Sequence, residues 1–174
     1  MSTNQLPEKV TSLLKSSKFV HLATANPANC FPHVSLMNYT YVYDAANNKN
    51  LLIMASPKNT VKVENIKANP HVSLLIHDWS NSAATDASGA PCSDSNLLAM
   101  LKTLNERELV RVSITLTGQA RLLANDDDER AAYQALLLKL NPEAKAFIEG
   151  DIELILIELK AAKVADTNNN VNEY

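Results

Sequence analysis

The segment from Ser56 to Lys62 combines residue types that bind phosphate. It reads SPKNTVK and carries two hydroxyls, on Ser56 and Thr60, and the ammonium of Lys62. Apolar residues before it predict a strand, and the residues after it predict a helix, whose first N–H groups have no partner within the helix. Hydroxyls, a cation and unpaired N–H groups together suit a phosphate monoester. Taken alone, the pattern favours a capped helix with a solvated lysine over such a site.

The rest of the sequence contains no recognised pattern of a nucleophile or a metal site. There is no GxSxG motif, and Gly89, Gly118 and Gly150 are isolated, which excludes a glycine-rich phosphate loop. Cys30 and Cys92 lie 62 positions apart, which argues against a disulfide framework and a cysteine-based zinc site. Four histidines lack metal-ligand spacing, and a lone strand histidine is more often structural; they are His21, His33, His71 and His77.

An acidic run from Asp126 to Glu129 follows Asn125 and is typical of the start of a helix, because carboxylates oppose the positive end of the helix dipole. This explanation is favoured over a metal site or general acid/base catalysis. The helix is expected to bury one apolar face, formed by Ala132, Leu136, Leu137 and Leu140.

Composition and charge place the chain among ordinary globular proteins. Its 174 residues predict one domain, and 46% hydrophobic with 20% charged residues excludes a disordered chain. A net charge of -3 argues against nucleic-acid binding. Residues 1–78 nevertheless hold 7 Lys/Arg against 4 Asp/Glu, which suits an anionic small ligand. The polar amino terminus and the short apolar runs predict a cytoplasmic protein with no membrane partner.

The elements that must position these residues are mostly strands. Alternating and β-branched segments predict six strands, at 18–25, 31–43, 51–56, 71–78, 110–123 and 151–159, with helices at 8–17, 60–68, 97–104 and after Asn125. The absence of repeated βαβ units favours a small, mostly antiparallel barrel of the α+β class. We expect one domain over 1–163, an insertion loop and helix at 79–109, and a disordered tail at 164–174. Gly118 is expected to form a bulge.

Three stretches, in order, resemble the pyridoxamine 5'-phosphate oxidase-like FMN-binding split-barrel family. They read HLATANP, FPHVSLMNYTYVYD and LLIMASPKNTVKVENIKANPHVSLLIHD. The family has a strand after a proline, a second strand ending in a hydroxyl residue, a Ser-Arg-Lys-type phosphate turn, a helix closing in Asn-Pro and a Val-Ser-Leu strand. The match covers residues 18–78, and the later TGxA-type strand corresponds to Thr117 through Ala120. The resemblance implies a split antiparallel β-barrel that binds FMN.

The same resemblance implies a set of cofactor-binding residues. Residues from Ser35 to Thr40 line one flavin edge, Ala55 and Ser56 flank the ribityl phosphate, and Ser113 lies near a family glutamine. Thr60 stands in place of the family serine and Lys62 in place of the family lysine, whereas Val61 and Ser35 replace two arginines. The full set is Ser35, Leu36, Met37, Asn38, Ala55, Ser56, Thr60, Val61, Lys62 and Ser113.

For function, the resemblance implies a homodimer that holds FMN between subunits and performs flavin-dependent redox chemistry on an unknown small molecule. The family's carboxy-terminal Arg-x-His signature has no counterpart, since the last arginine is Arg130 and the last histidine is His77. Poor pyridoxamine 5'-phosphate oxidase activity is therefore expected. The alternatives are a non-catalytic protein that binds or carries a flavin, haem or F420-like cofactor, and a structural dimer with an empty pocket.

An aromatic strand offers two interpretations for the dimer. Met37, Tyr39, Tyr41 and Tyr43 recur at every second position, so their side chains share one face. That face is expected either to be buried between subunits or to fill the protomer's own core, and periodicity alone favours neither.

Overall fold

The structure is a computed structural model that describes residues 6–77, 112–124, 128–166, 168 and 170–174. The helices are α1 (Glu8–Ser16), α2 (Val61–Ala68), α3 (Asp128–Leu140) and a 3-10 helix (Pro142–Phe147). The strands are β1 (Phe19–Ala25), β2 (Pro32–Asn38), β3 (Thr40–Asp44), β4 (Lys49–Pro57), β5 (His71–His77), β6 (Val112–Leu123), β7 (Ile152–Asp166) and β8 (Val171–Glu173). The predicted insertion at 79–109 lies outside the described residues.

The described strands form one antiparallel sheet that curves into a split barrel. Its order is β2-β1-β5-β6-β7-β4-β3, with β8 added to β7. The split lies between β2 and β3, which are consecutive in the chain yet stand at opposite ends of the sheet. The predicted mostly antiparallel fold with few short helices is confirmed.

Two apolar clusters hold the sheet and helices together, and β4 contributes to both because its side chains alternate. Leu52 and Met54 point into the barrel interior, where they join Val10 and Leu14 of α1. Leu51 and Ile53 point to the other side and pack with Leu137 of α3, in what we call the outer cluster. None of the described helices is long and apolar enough to cross a membrane.

Strand 31–43 is interrupted, which corrects the prediction of one continuous strand. Tyr39 separates β2 from β3, and its backbone N–H donates to the carbonyl of Lys18 at 3.2 Å. Its side chain is buried, and the hydroxyl donates to the carbonyl of Leu14 at 3.0 Å. These contacts come from residues more than 20 positions away, so local propensity did not reveal them.

The carboxy-terminal residues form a hairpin, so the prediction of a disordered tail at 164–174 is wrong for the described residues. Strand β7 continues to Asp166, whose carboxylate accepts the N–H groups of Asn168 and Asn170, both at 2.9 Å. Tyr174 and Ala162 then exchange two backbone hydrogen bonds of 2.8 and 2.9 Å. Asn168 and Asn170, which suggested disorder by composition, are instead held by the Asp166 side chain.

Helix α3 is anchored by an arginine as well as by leucine. Leu137 is buried, but Ala132 is exposed and Leu140 is 54% exposed, so the predicted apolar face is only partly correct. Arg130 is buried, and its guanidinium donates to the carbonyls of Leu123 and Ile152, both at 2.9 Å. These bonds fix the start of α3 over the ends of β6 and β7.

An irregularity is present at Gly118, as predicted, but the extra residue lies on the neighbouring strand: Thr117 pairs with Ala161 and Gly118 with Leu159, which leaves Lys160 of β7 without a partner in the register. A Cβ atom at Gly118 would lie 2.8 Å from the carbonyl oxygen of Glu158 and 2.8 Å from Cγ2 of Ile157. Because one of these neighbours is backbone, the strands cannot accommodate a side chain without moving apart.

We therefore expect Gly118→Ala to lower the free energy of unfolding by about 1–3 kcal/mol through overpacking. Urea denaturation followed by circular dichroism measures the change. Thr115→Ala, at an exposed position of the same strand, is the matched control and should change stability far less. Equal stabilities of the two variants would contradict the close approach at Gly118.

Candidate functional site

Ser56, Thr60 and Lys62 converge at the turn between β4 and α2, and we call them the hydroxyl–lysine cluster. The Ser56 and Thr60 hydroxyl oxygens are 3.1 Å apart, and Lys62 Nζ donates to Ser56 Oγ at 3.4 Å. Ser56 is buried, whereas Thr60 and Lys62 are half-buried. The three polar groups that the sequence singled out for phosphate therefore meet at one place.

The Thr60 hydroxyl is available to this cluster because it does not cap the helix. Thr60 occupies the N-cap position, and its carbonyl accepts the N–H groups of Val63 and Glu64 at 3.0 and 3.1 Å. Its side chain makes no capping hydrogen bond and instead donates to the carbonyl of Pro57 at 3.1 Å. The hydroxyl is thus directed back towards the end of β4.

Lys62 differs electrostatically from its neighbour Lys58. Lys58 Nζ lies 2.6 Å from an Asp151 carboxylate oxygen, so its charge is balanced. Lys62 forms no ion pair with any residue that the structure describes. Burial lowers the pKa of Lys62, because desolvation disfavours the charged ammonium. A partly desolvated cation beside two hydroxyls is an arrangement that an anion stabilises.

Strand β2 places another polar group inside the barrel. Ser35 pairs with Leu22 of β1, and its Oγ is buried without a hydrogen-bond partner in the described part of the chain. His33 lies two positions away on the same face, and its Nδ1 is also buried and unpartnered there. The sequence alone favours a structural role for His33. Its position two residues before Ser35 places both side chains on one face of the strand, and this spacing is the signal that points to His33.

The other residues expected beside a flavin have varied surroundings. Met37 is 7% exposed in the barrel interior, whereas Leu36 is 61% and Val61 56% exposed. Ala55 packs against the outer cluster, on the face of β4 opposite Ser56. The Asn38 amide is already used, since it donates to the Lys18 carbonyl at 3.1 Å and accepts from Asn141 at 2.9 Å.

Ser113 lies far along the sheet from the hydroxyl–lysine cluster. Ser56 pairs with Glu153 at the start of β7, whereas Ser113 pairs with Ala165, twelve positions later on the same strand. At about 3.3 Å per residue this separation corresponds to about 40 Å of strand. A single chain therefore does not bring Ser113 to this cluster. Ser113 instead pairs with His77, whose ring stacks on that of His21 with centroids 5.7 Å apart.

Comparison with known protein families decides the assignment. A sequence profile described as pyridoxamine 5'-phosphate oxidase matches residues 6–168. The chain belongs to this family. A Saccharomyces cerevisiae protein described as a pyridoxamine 5'-phosphate oxidase homolog is 37% identical over 188 residues, which cover 96% of this chain and 94% of that protein.

Solved structures with low sequence identity share the fold. A haem-binding protein from Mycobacterium smegmatis has a TM-score of 0.63 at 18% identity, covering 100% of this chain and 58% of that one. A FAD-binding protein from Mesorhizobium loti has a TM-score of 0.59 at 16% identity, covering 91% of this chain and 94% of that one. These similarities support the pyridoxamine 5'-phosphate oxidase-like split barrel and do not decide between ligands.

We expect Lys62→Met to raise the melting temperature in phosphate-free buffer near neutral pH. Because the pKa of Lys62 is lowered on folding, its charged form destabilises the folded state below that pKa. This cost disappears as the pH rises towards the ordinary pKa of lysine, so the difference from wild type should shrink in alkaline buffer. Differential scanning calorimetry across pH measures both effects.

The matched control is Lys67→Met. Lys67 is exposed on the same helix and its ammonium lies 3.2 Å from the Glu64 carboxylate. Its replacement should not stabilise the protein. A Lys62→Met variant that melts at or below the wild-type temperature would contradict the unbalanced charge.

Proposed function

We propose that the protein is a flavin-dependent oxidoreductase that holds the phosphate of FMN at the hydroxyl–lysine cluster. The observation that carries this proposal is the half-buried Lys62 ammonium, which has two hydroxyls beside it and no ion pair within the described residues. The donor set matches a phosphate monoester, whose oxygens accept several charge-assisted hydrogen bonds. Family membership supports a flavin as the molecule that carries this phosphate.

Each member of the cluster has a distinct part in binding. Lys62 supplies the positive charge, and Ser56 and Thr60 can rotate their hydroxyl hydrogens from each other and from the Pro57 carbonyl towards phosphate oxygens. The amino terminus of α2 adds backbone N–H groups that favour an anion. Together these groups replace the two arginines that the family places where Val61 and Ser35 stand.

The redox step would come from the cofactor, since bound FMN supplies hydride and electron transfer. The chain's own contribution is anchoring and orientation. The buried Ser35 hydroxyl, which lacks a partner among the described residues, can donate a hydrogen bond to a polar atom of the flavin edge. No side chain is assigned as a general acid or base.

A homodimer is part of the proposal, and an exposed apolar face supports it. Val34 and Leu36 of β2 are 60% and 61% exposed, and Phe19 of β1 and Leu75 of β5 are 47% and 40% exposed. Leu36 pairs with His21, which pairs with Leu75, so these side chains share the outer face of adjacent strands. Contiguous exposed apolar surface of this kind is typical of a protein interface.

This exposed face, and not the aromatic strand considered in the sequence analysis, supports the dimer. Tyr39 and Met37 are buried within the protomer, at 2% and 7% exposure, which favours the core interpretation for them. The Tyr41 hydroxyl donates to Asn50 at 2.7 Å, and Tyr43 is 41% exposed. If a second copy covers the outer face, Ser113 of one protomer can contact a flavin that is bound mainly by the other protomer.

A second candidate is a non-catalytic protein that binds haem or carries a flavin. The observation that favours it is the stacked His21–His77 pair, which lies in a cavity of about 320 Å³ lined also by Phe19, Leu36 and Leu75. An imidazole within an apolar surface is suited to ligate haem iron. One absorbance spectrum after addition of haem or FMN separates this candidate from the flavoenzyme.

In a flavin fluorescence titration, we expect Lys62→Ala to weaken FMN binding by about 1.5–3 kcal/mol, because it removes a charge-assisted contact to phosphate. Lys58→Ala is the matched control, since Lys58 is already paired with Asp151. It should alter affinity much less. Equal affinities of the two variants would remove the phosphate assignment.

Leu36→Glu should convert the dimer to a monomer, because it places a charge in the centre of the apolar face. Light scattering measures the mass. Phe147→Glu, which alters an equally accessible apolar residue on the 3-10 helix, should leave the dimer intact. A wild-type monomer that still binds FMN would contradict a site shared between subunits.

The proposed oxidoreductase activity is tested by measuring turnover of the protein at saturating FMN. We expect NADPH to reduce the bound flavin, while pyridoxal 5'-phosphate forms slowly from pyridoxamine 5'-phosphate. The reason is that residues after Arg130 include no arginine or histidine to clamp that substrate, and lost positioning costs several orders of magnitude in rate. Absence of any flavin reduction would favour a carrier, and rapid pyridoxal 5'-phosphate formation would show that other residues replace the clamp.

A further inference from the structure

Two histidine rings lie next to each other in the exposed apolar face, and we call them the imidazole pair. His21 of β1 stands opposite Leu75 of β5, and His77 follows Leu75 by two positions, so both imidazoles point to the outer face of the sheet. Their ring centroids are 5.7 Å apart, with an angle of 27° between the ring planes. Both residues are half-buried in the single chain.

Apolar side chains surround the imidazole pair. Phe19, Leu36 and Leu75 line the same cavity of about 320 Å³, and all three are exposed. Val34 extends this apolar surface along β2, since it points to the same face as Leu36. The face therefore presents hydrocarbon and two titratable rings to whatever covers it.

The described groups that face the imidazole pair offer it no negative charge. Strand β2 contributes Leu36, and β6 contributes the hydroxyl residue Ser113. The turn after α1 contributes Lys18, whose ammonium lies 2.7 Å from the Glu143 carboxylate. The described lining of the cavity thus contains one lysine and no carboxylate.

Protonation of the imidazole pair has a different cost in a free face and in a covered one. Imidazole is the side chain that ordinarily changes its charge between about pH 5 and 8. On a free surface, water solvates the imidazolium ion, whereas burial against apolar side chains disfavours it. A second proton on the neighbouring ring, 5.7 Å away, adds repulsion between like charges.

A second copy of this chain is the partner for which the cost is largest. In a two-fold interface the same patch lies on both subunits, so a proton taken up by the patch adds positive charge to both sides. With neutral imidazoles, the apolar face can be covered by its own copy without buried charge. A partner with an acidic surface would instead bind more tightly as the pH falls, so the direction of the pH effect identifies the occupant.

We propose that the imidazole pair makes dimerisation pH-dependent, so that two copies of the chain associate through the outer face while the rings are neutral and separate when they are protonated. This inference rests on the proposed homodimer and adds its regulation. Dissociation takes up protons, so association is strongest above the pH at which the imidazoles titrate and weakens as the pH falls through that range.

Sedimentation equilibrium of the full-length protein at saturating FMN measures the dimer Kd between pH 8 and pH 5.5. If each pair takes up one proton on dissociation, the Kd rises by up to about 100-fold per pH unit below the titration range. Since an ordinary histidine titrates near pH 6.5, we expect a rise of about thirtyfold or more over this interval. Circular dichroism at pH 5.5 checks that the separated chains remain folded.

A double variant assigns the effect to the imidazole pair. His21→Gln combined with His77→Gln should still dimerise at pH 8, and its Kd should change less than threefold down to pH 5.5. His71→Gln is the matched control, because His71 is exposed on the same strand as His77 and lies outside the cavity. It should keep the pH dependence of the wild type. Any titration of the FMN phosphate is common to all these proteins and cancels in the comparison.

A fixed charge provides a second test that does not require the double variant to fold. His21→Arg is positively charged over the whole pH range, so it should be largely monomeric at pH 8. His21→Gln, which is neutral, and His71→Arg, which places the same charge outside the cavity, should both remain dimers at this pH.

The outcomes separate this inference from the proposed function. A wild-type dimer whose Kd stays constant or falls towards pH 5.5, or a double variant with the wild-type pH dependence, would overturn the inference and leave the proposed dimer intact. A wild-type protein that is monomeric at pH 8 would contradict both.

Discussion

Strand β7 is hydrogen-bonded along one edge to β6 and along the other to β4, and this double pairing holds the two halves of the sheet together. It also determines where the polar turn after β4 stands, because Ser56 pairs with Glu153 and the Lys58 N–H donates to the Asp151 carbonyl at 3.2 Å. With the end of β4 fixed, α2 starts within reach of Ser56. The hydroxyl–lysine cluster is thus a consequence of strand register.

Two parts of the proposed flavin site share one physical principle, since each leaves a polar group partly removed from water without a compensating partner among the described residues. At α2 the group is the Lys62 ammonium, whose pKa is lowered by burial, and in β2 it is the Ser35 hydroxyl. Such groups cost stability in the empty protein and return it when a complementary ligand binds. Balanced groups nearby, such as the Lys58–Asp151 pair, show that the chain supplies counter-charges elsewhere.

Much of the fold was predictable because the information is local. Alternation in β5 and β6, the irregular pairing at Gly118 and the phosphate-type residues from Ser56 to Lys62 are all visible in short segments. The break at Tyr39, the anchoring of α3 by Arg130 and the exposure of Leu140 depend on distant contacts, so periodicity missed them. The unpartnered Ser35 hydroxyl is likewise known only once β2 and β1 are paired.

The central claim is that the hydroxyl–lysine cluster holds the phosphate of a flavin, and a crystal structure of the protein grown with FMN tests it most directly. The account predicts phosphate oxygens at hydrogen-bond distance, about 3 Å, from Ser56 Oγ, Thr60 Oγ1 and Lys62 Nζ. Phosphate bound elsewhere on the protein, or crystals without flavin at saturating FMN, would contradict it.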